Sequence, residues 1–178
     1  MEILSQYFKN RLDSKSMLTI LGIVSIPFHF WTFYSLFEDF EAWIPIFDFW
    51  DLVGAWSYTF LFVIAEIIIV ALYLILVNYL VPKKLARGSF VEISFVIVLE
   101  LCAVALIVQN NGDLFRSIVP IFWGFIGLSL ITSGVVGFLP NKVLKIISNI
   151  ADRLLTLAVF FWFFDLVALI IIMIRNFS

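Results

Sequence analysis

Only one cysteine, Cys102, and one histidine, His29, occur in the 178 residues. A lone cysteine cannot close an intrachain disulfide, and inside an apolar run it says nothing of the redox compartment. A lone histidine removes the H-E-x-x-H pair of an intramembrane zinc hydrolase, and without a Cys-His spacing there is no metal-ligand pattern. Neither metal nor cofactor is expected. Charge is also scarce, at 13% of residues and a net -2, against about 25% charged residues in a soluble domain. That excludes the basic face that would bind nucleic acid. There is no Gly-rich phosphate cradle and no Walker lysine. Ser129, in Gly127-Leu128-Ser129, has no base other than His29, and a Cys102–His29 dyad has nothing but composition behind it. Asp165, as the one aspartate in a helix core, is one short of a paired-aspartate protease. No reaction can be read from these residues, and a non-enzymatic role is expected.

What is abundant is apolar surface: 63% of the chain is hydrophobic and 18% aromatic, where soluble domains hold roughly 45–50% apolar residues. The stretch Tyr58–Val81 is apolar around its whole circumference, so its solvent must be lipid or other apolar helices. Its length of about 36 Å, at ~1.5 Å per residue, exceeds a hydrocarbon core of ~30 Å. The predicted class is an all-α, polytopic integral membrane protein, a single helical domain with about five transmembrane helices.

The spans are predicted at residues 17–37, 58–81, 89–109, 115–139 and 154–174. Pro27 falls inside the first and should kink it unless neighbours satisfy the freed carbonyl. Pro82 and Gly88 bound a turn short enough to make the second and third helices an antiparallel hairpin, and Asn110-Asn111-Gly112-Asp113 ends the third helix. Pro140 ends the fourth. Residues 1–16 and 141–153 carry apolar positions at helical spacing beside basic ones and read as short interfacial helices. Residues 38–57 mix acids with tryptophan and phenylalanine and contain no Lys or Arg, which suits a connector at the headgroup level. The alternative for this segment is a re-entrant hairpin with Asp48 and Asp51 buried in protein.

Basic residues orient the threading. Lys9, Arg11, Lys15, Lys83, Lys84, Arg87, Lys142, Lys145 and Arg153 fall on one side of a five-helix path, and only Arg116 and Arg175 on the other. Loops rich in Lys and Arg stay cytoplasmic, so the N-terminus and residues 141–153 are expected inside, and the 38–57 connector and the C-terminus outside. The expected location is the plasma (inner) membrane.

Four ionisable residues fall at similar depths well inside the spans. Counted from the cytoplasmic ends, His29 is about twelve residues in, Glu66 about fifteen, Glu100 about eleven and Asp165 about ten, or ~15–23 Å at ~1.5 Å each. Ionisable groups at such depth are costly and by default mark a relay, an ion path or a partner contact. They also serve as hydrogen-bonding glue between helices. His29, Glu66, Glu100 and Asp165 are therefore the candidate membrane-buried polar cluster. A second feature, Ser129, Ser133 and Gly137, forms a small-xxx-small ridge that lets helices approach closely, within the chain or between protomers. The run Phe160-Phe161-Trp162-Phe163-Phe164 reads as lipid-facing or packing surface.

Two functional readings follow. A non-catalytic subunit, or an assembly and interaction partner of a membrane complex, accounts for the small size and the near-absence of soluble mass. A small oligomeric channel or transporter makes more use of the acids, moving protons or cations along them. Expected partners are the lipid bilayer and either another membrane protein or further copies of the chain.

Overall fold

Helix ends are set first by local chemistry, which the computed structural model describes for residues 13–80, 90–111 and 118–177. Among these residues five helices follow one another: α1 (Ser14–Trp43), α2 (Phe49–Leu80), α3 (Phe90–Asn110), α4 (Ile118–Val136) and α5 (Asn141–Phe177). All five are long and apolar enough to cross a membrane. Asp13 caps α1 by accepting the Ser16 N–H at 3.0 Å. Hydrogen bonding from the Ser16 hydroxyl, and then from this N–H, holds its carboxyl below the usual aspartate range. Asp48 accepts the Asp51 N–H at 2.8 Å and starts α2 in the same way. Pro140 accepts from Val143 and Leu144 as α5 begins.

Three predicted boundaries are revised. Residues 38–57 are not a separate connector: α1 continues to Trp43, α2 starts at Phe49, and only residues 44–48 lie between. The segment forms no hairpin of its own, and Asp48 and Asp51 are exposed rather than buried. Residues 141–153 are the first turns of one unbroken 37-residue helix, not an independent helix. At ~1.5 Å per residue α5 is about 56 Å long, so one end must project beyond a ~30 Å hydrocarbon layer. Lys142, Lys145, Asp152 and Arg153 occupy that end. At the other terminus, Ser14–Ser16 belong to α1, and the rest of the predicted 1–16 helix lies outside the described residues, as does the turn at 82–88. Pro27 sits inside α1, which continues through it.

The chain passes up and down, so the odd-numbered helices α1 and α5 run parallel. Lys15 meets Asp152 at 3.5 Å at one end, Ser25 meets Trp162 midway, and Phe33 meets Phe164 further along. α2 runs antiparallel between them, and its first turns reach the end of α5: Arg175 bonds the Asp51 carboxylate at 2.9 Å and the Trp50 carbonyl, and Tyr58 bonds Asn176 at 3.2 Å. These three helices form the tight part of the bundle. α3 lies against α1 and α5 and pairs with α4, which among the described residues otherwise touches only α2.

Apolar packing follows from helical spacing. The main core joins Ile20, Ile23 and Val24 of α1, Val63, Ile67 and Leu74 of α2, and Ile93, Ile97 and Val98 of α3. On α5 the buried residues are Ala151, Ala158, Asp165 and Ala168, the first three seven apart, so a seam of small side chains faces α1. Gly22 answers it on α1: a Cβ there would stand 2.8 Å from the Leu155 Cα. The outer surface is as apolar as the core, with Phe30, Phe62 and Phe138 each about 70% exposed. That is the pattern of a bundle whose solvent is lipid.

Candidate functional site

The deepest polar group is on α1. Thr19, Gly22, Ser25, His29, Thr32 and Leu36 recur at three- and four-residue steps and are all buried, so this polar stripe faces the α5 alanine seam. His29 is fully enclosed. Its Nδ1 lies 2.8 Å from the Ser25 carbonyl oxygen. A carbonyl can only accept, so Nδ1 carries a hydrogen. The other ring nitrogen, Nε2, stands 3.0 Å from Asp165 Oδ1. One proton fills that bond, either on the ring (imidazolium with carboxylate) or on the acid (imidazole with carboxylic acid). Both forms are neutral as a pair, and neither leaves a bare charge in hydrocarbon.

Aromatic rings enclose the pair. Phe161 stacks on the imidazole with centroids 5.1 Å apart, and Phe60 of α2 lies at 6.1 Å. Trp162 donates its indole N–H to Ser25 Oγ at 2.8 Å, a second polar stitch between α1 and α5. On the side of α2 a shallow groove of about 150 Å³ is lined by Leu21, Ile64, Ile67, Ile68, Trp162 and the edge of Asp165. Its walls are apolar apart from that edge.

Glu100 lies elsewhere. It accepts the hydroxyl hydrogen of Thr132, joining α3 to α4. Its second carboxyl oxygen is buried without a hydrogen bond. The Tyr73 hydroxyl, from α2, is buried and forms no hydrogen bond. Glu66 joins neither group. It is exposed on the outside of α2, one residue before the buried Ile67 and so about 100° around the helix from it. The α2 residue whose ring meets His29 is Phe60, six positions away.

The four candidate residues are thus distributed over three places: His29 and Asp165 together between α1 and α5, Glu100 between α3 and α4, and Glu66 facing outward. Two of the ridge residues, Ser129 and Ser133, are fully buried, and Gly137 is buried just beyond the end of α4. Their hydroxyls bond carbonyls of their own helix, Ser129 to Phe125 at 2.9 Å and Ser133 to Ser129 at 2.7 Å, so their contribution to packing is small size. Gly124, Gly127 and Gly134 look onto open space.

Two participants, Thr132 and Arg175, were not foreseen from sequence, and a third, Trp162, was read only as part of a lipid-facing or packing run. Thr132, the partner of Glu100, is next to Ser133 in the ridge, which was its only signal. Trp162 is half-buried and functional in packing, whereas its neighbours Phe160 and Phe163 are exposed as expected of that run. Arg175, the lone basic residue of the last turn of α5, ties α5 to α2 at Asp51, and its predicted place on the same side as the acid-rich segment 38–57 was the available hint. Among the described residues no group of three or more His, Cys, Asp or Glu side chains is placed to hold a metal ion.

No family model matches this chain, and neither the curated proteins nor the solved structures contain a match. The functional reading therefore stands on geometry.

Proposed function

We propose that this protein is a non-catalytic subunit, or an assembly and interaction partner, of a membrane complex. The orientation proposed with it places the N-terminus in the cytoplasm and the C-terminus outside the plasma (inner) membrane, from the nine-to-two distribution of basic residues. The observation that supports the reading is the separation of the ionisable groups. His29 and Asp165 satisfy each other between α1 and α5, and Glu100 is bonded to Thr132 between α3 and α4. Ile23, Ile67, Ile93 and Ile97 fill the core that α1, α2 and α3 share. A proton or cation path needs stations within reach of one another, whereas glue between helices needs only local pairs.

The competing reading, a small oligomeric channel or transporter, draws on one feature, the groove that reaches the edge of Asp165. Purified protein in liposomes separates the two. The subunit reading predicts proton and alkali-cation flux no greater than in empty liposomes. Robust flux that Asp165→Asn abolishes at unchanged stability would replace it with transport.

A further inference from the structure

Glu66 lies near the middle of the 32-residue helix α2 and is exposed. On the same face, at helical spacing, stand Phe62, Ile69 and Leu76, with Leu72 beside them, each between 54% and 69% exposed. An acid surrounded by such residues faces hydrocarbon at mid-depth, where an unpaired carboxylate costs several kcal/mol. Among the described residues no cation is bonded to it. No Lys or Arg occurs in the sequence between Lys15 and Lys83, between Arg87 and Arg116, between Arg116 and Lys142, or between Arg153 and Arg175. The single histidine is enclosed and bonded to Asp165.

We infer that this face of α2 is a docking surface for a transmembrane helix of a different protein, one that presents a lysine or arginine to Glu66 near the bilayer midplane. The inference rests on the subunit reading and specifies the partner's chemistry. Charge complementarity selects the occupant. A second copy packed α2 to α2 would bring another acid, since its own cations lie at the membrane boundaries. A lipid tail would leave the carboxyl without a partner. The flanking Phe62, Ile69, Leu72 and Leu76 supply the packing surface, and Ala65 on the same side allows close approach.

The test uses the full chain in liposomes with synthetic polyleucine transmembrane helices as guests, carrying at mid-length one lysine, one aspartate or no charge, and reads association by energy transfer. The lysine guest is expected to associate about tenfold more tightly than the uncharged one, and the aspartate guest no more tightly than the uncharged one. Glu66→Leu should remove the preference, and Ala65→Trp, which crowds the face, should weaken association. Because both positions are exposed, melting should be unchanged, and Val159→Trp on the outer face of α5 serves as the control. Three guests binding alike, or a preference that survives Glu66→Leu, would overturn the inference. Self-association of the wild type that Glu66→Leu abolishes would assign the face to a second copy instead. Ion flux in the same liposomes would count against the subunit reading alone, while a lost lysine preference without flux would count against this inference alone.

Discussion

His29 Nε2 stands 3.0 Å from Asp165 Oδ1, and this bond spans 136 positions of sequence to join the first and last helices of the bundle. Its other nitrogen is committed to the Ser25 carbonyl, so the imidazole is held at both ends. Removing one partner leaves the other buried without a hydrogen bond, which costs about 1–3 kcal/mol. Asp165→Leu and His29→Leu should each destabilise the protein in that range, and Asp165→Asn by about 1 kcal/mol or less. A double-mutant cycle read by unfolding in mixed micelles should give a coupling of roughly 0.6–1.7 kcal/mol. Strict additivity would mean that the pair does not hold α1 to α5.

The close approach of those helices gives a second expectation. A side chain at Gly22 meets the backbone of Leu155, and backbone cannot move aside locally. Gly22→Val should lower stability by about 1–3 kcal/mol through overpacking. Gly124→Ala, Gly127→Ala and Gly134→Ala point into open space and should have little effect. Equal sensitivity at all four positions, measured by thermal melting in detergent, would be at odds with this packing.

Between α3 and α4, Thr132→Val removes the donor to Glu100 and should cost about 1 kcal/mol. Tyr73→Phe removes a hydroxyl that has no hydrogen bond, so it should be neutral or slightly stabilising. A marked loss on Tyr73→Phe would show that the hydroxyl has a partner in the membrane.

The ends of the bundle carry the topology. In a Cys102→Ala background, cysteines placed one at a time at positions 46, 111 and 177 should react with a membrane-impermeant thiol reagent added outside intact cells. Cysteines at 142 and 153 should react only after permeabilisation. The reverse pattern would invert the proposed orientation without altering the fold.

Much of this fold was legible because lipid imposes a simple demand: a spanning segment must be apolar all round and satisfy its own backbone. That demand revealed the spans, and counting residues along them placed His29 level with Asp165, since α1 and α5 run parallel. The same uniformity concealed which way each helix faces. With leucine, isoleucine and phenylalanine on every side, no polar stripe marks the inner face of α2, so depth alone suggested that Glu66 would join the others. Its direction is set by the seam Val63–Ile67–Ala71–Leu74, which becomes visible only once the neighbouring helices are in place. The segment 38–57 misled for a different reason. Acids and tryptophans mark the headgroup level, but a helix can continue straight through that level, as the last turns of α1 and the first of α2 do.

The outward position of Glu66 and the enclosure of the other two acids can be measured directly. A hydrophobic carbodiimide dissolves in the bilayer and modifies protonated carboxyls that face it. Applied to the purified chain in liposomes and followed by mass spectrometry of the peptides, it should label Glu66 first, with Glu100 and Asp165 modified much more slowly. Glu66→Gln should abolish the fast-labelled peptide without changing the slow ones. Labelling of Asp165 or Glu100 as fast as Glu66, or labelling that spares Glu66, would contradict the arrangement on which both the subunit reading and its docking face depend.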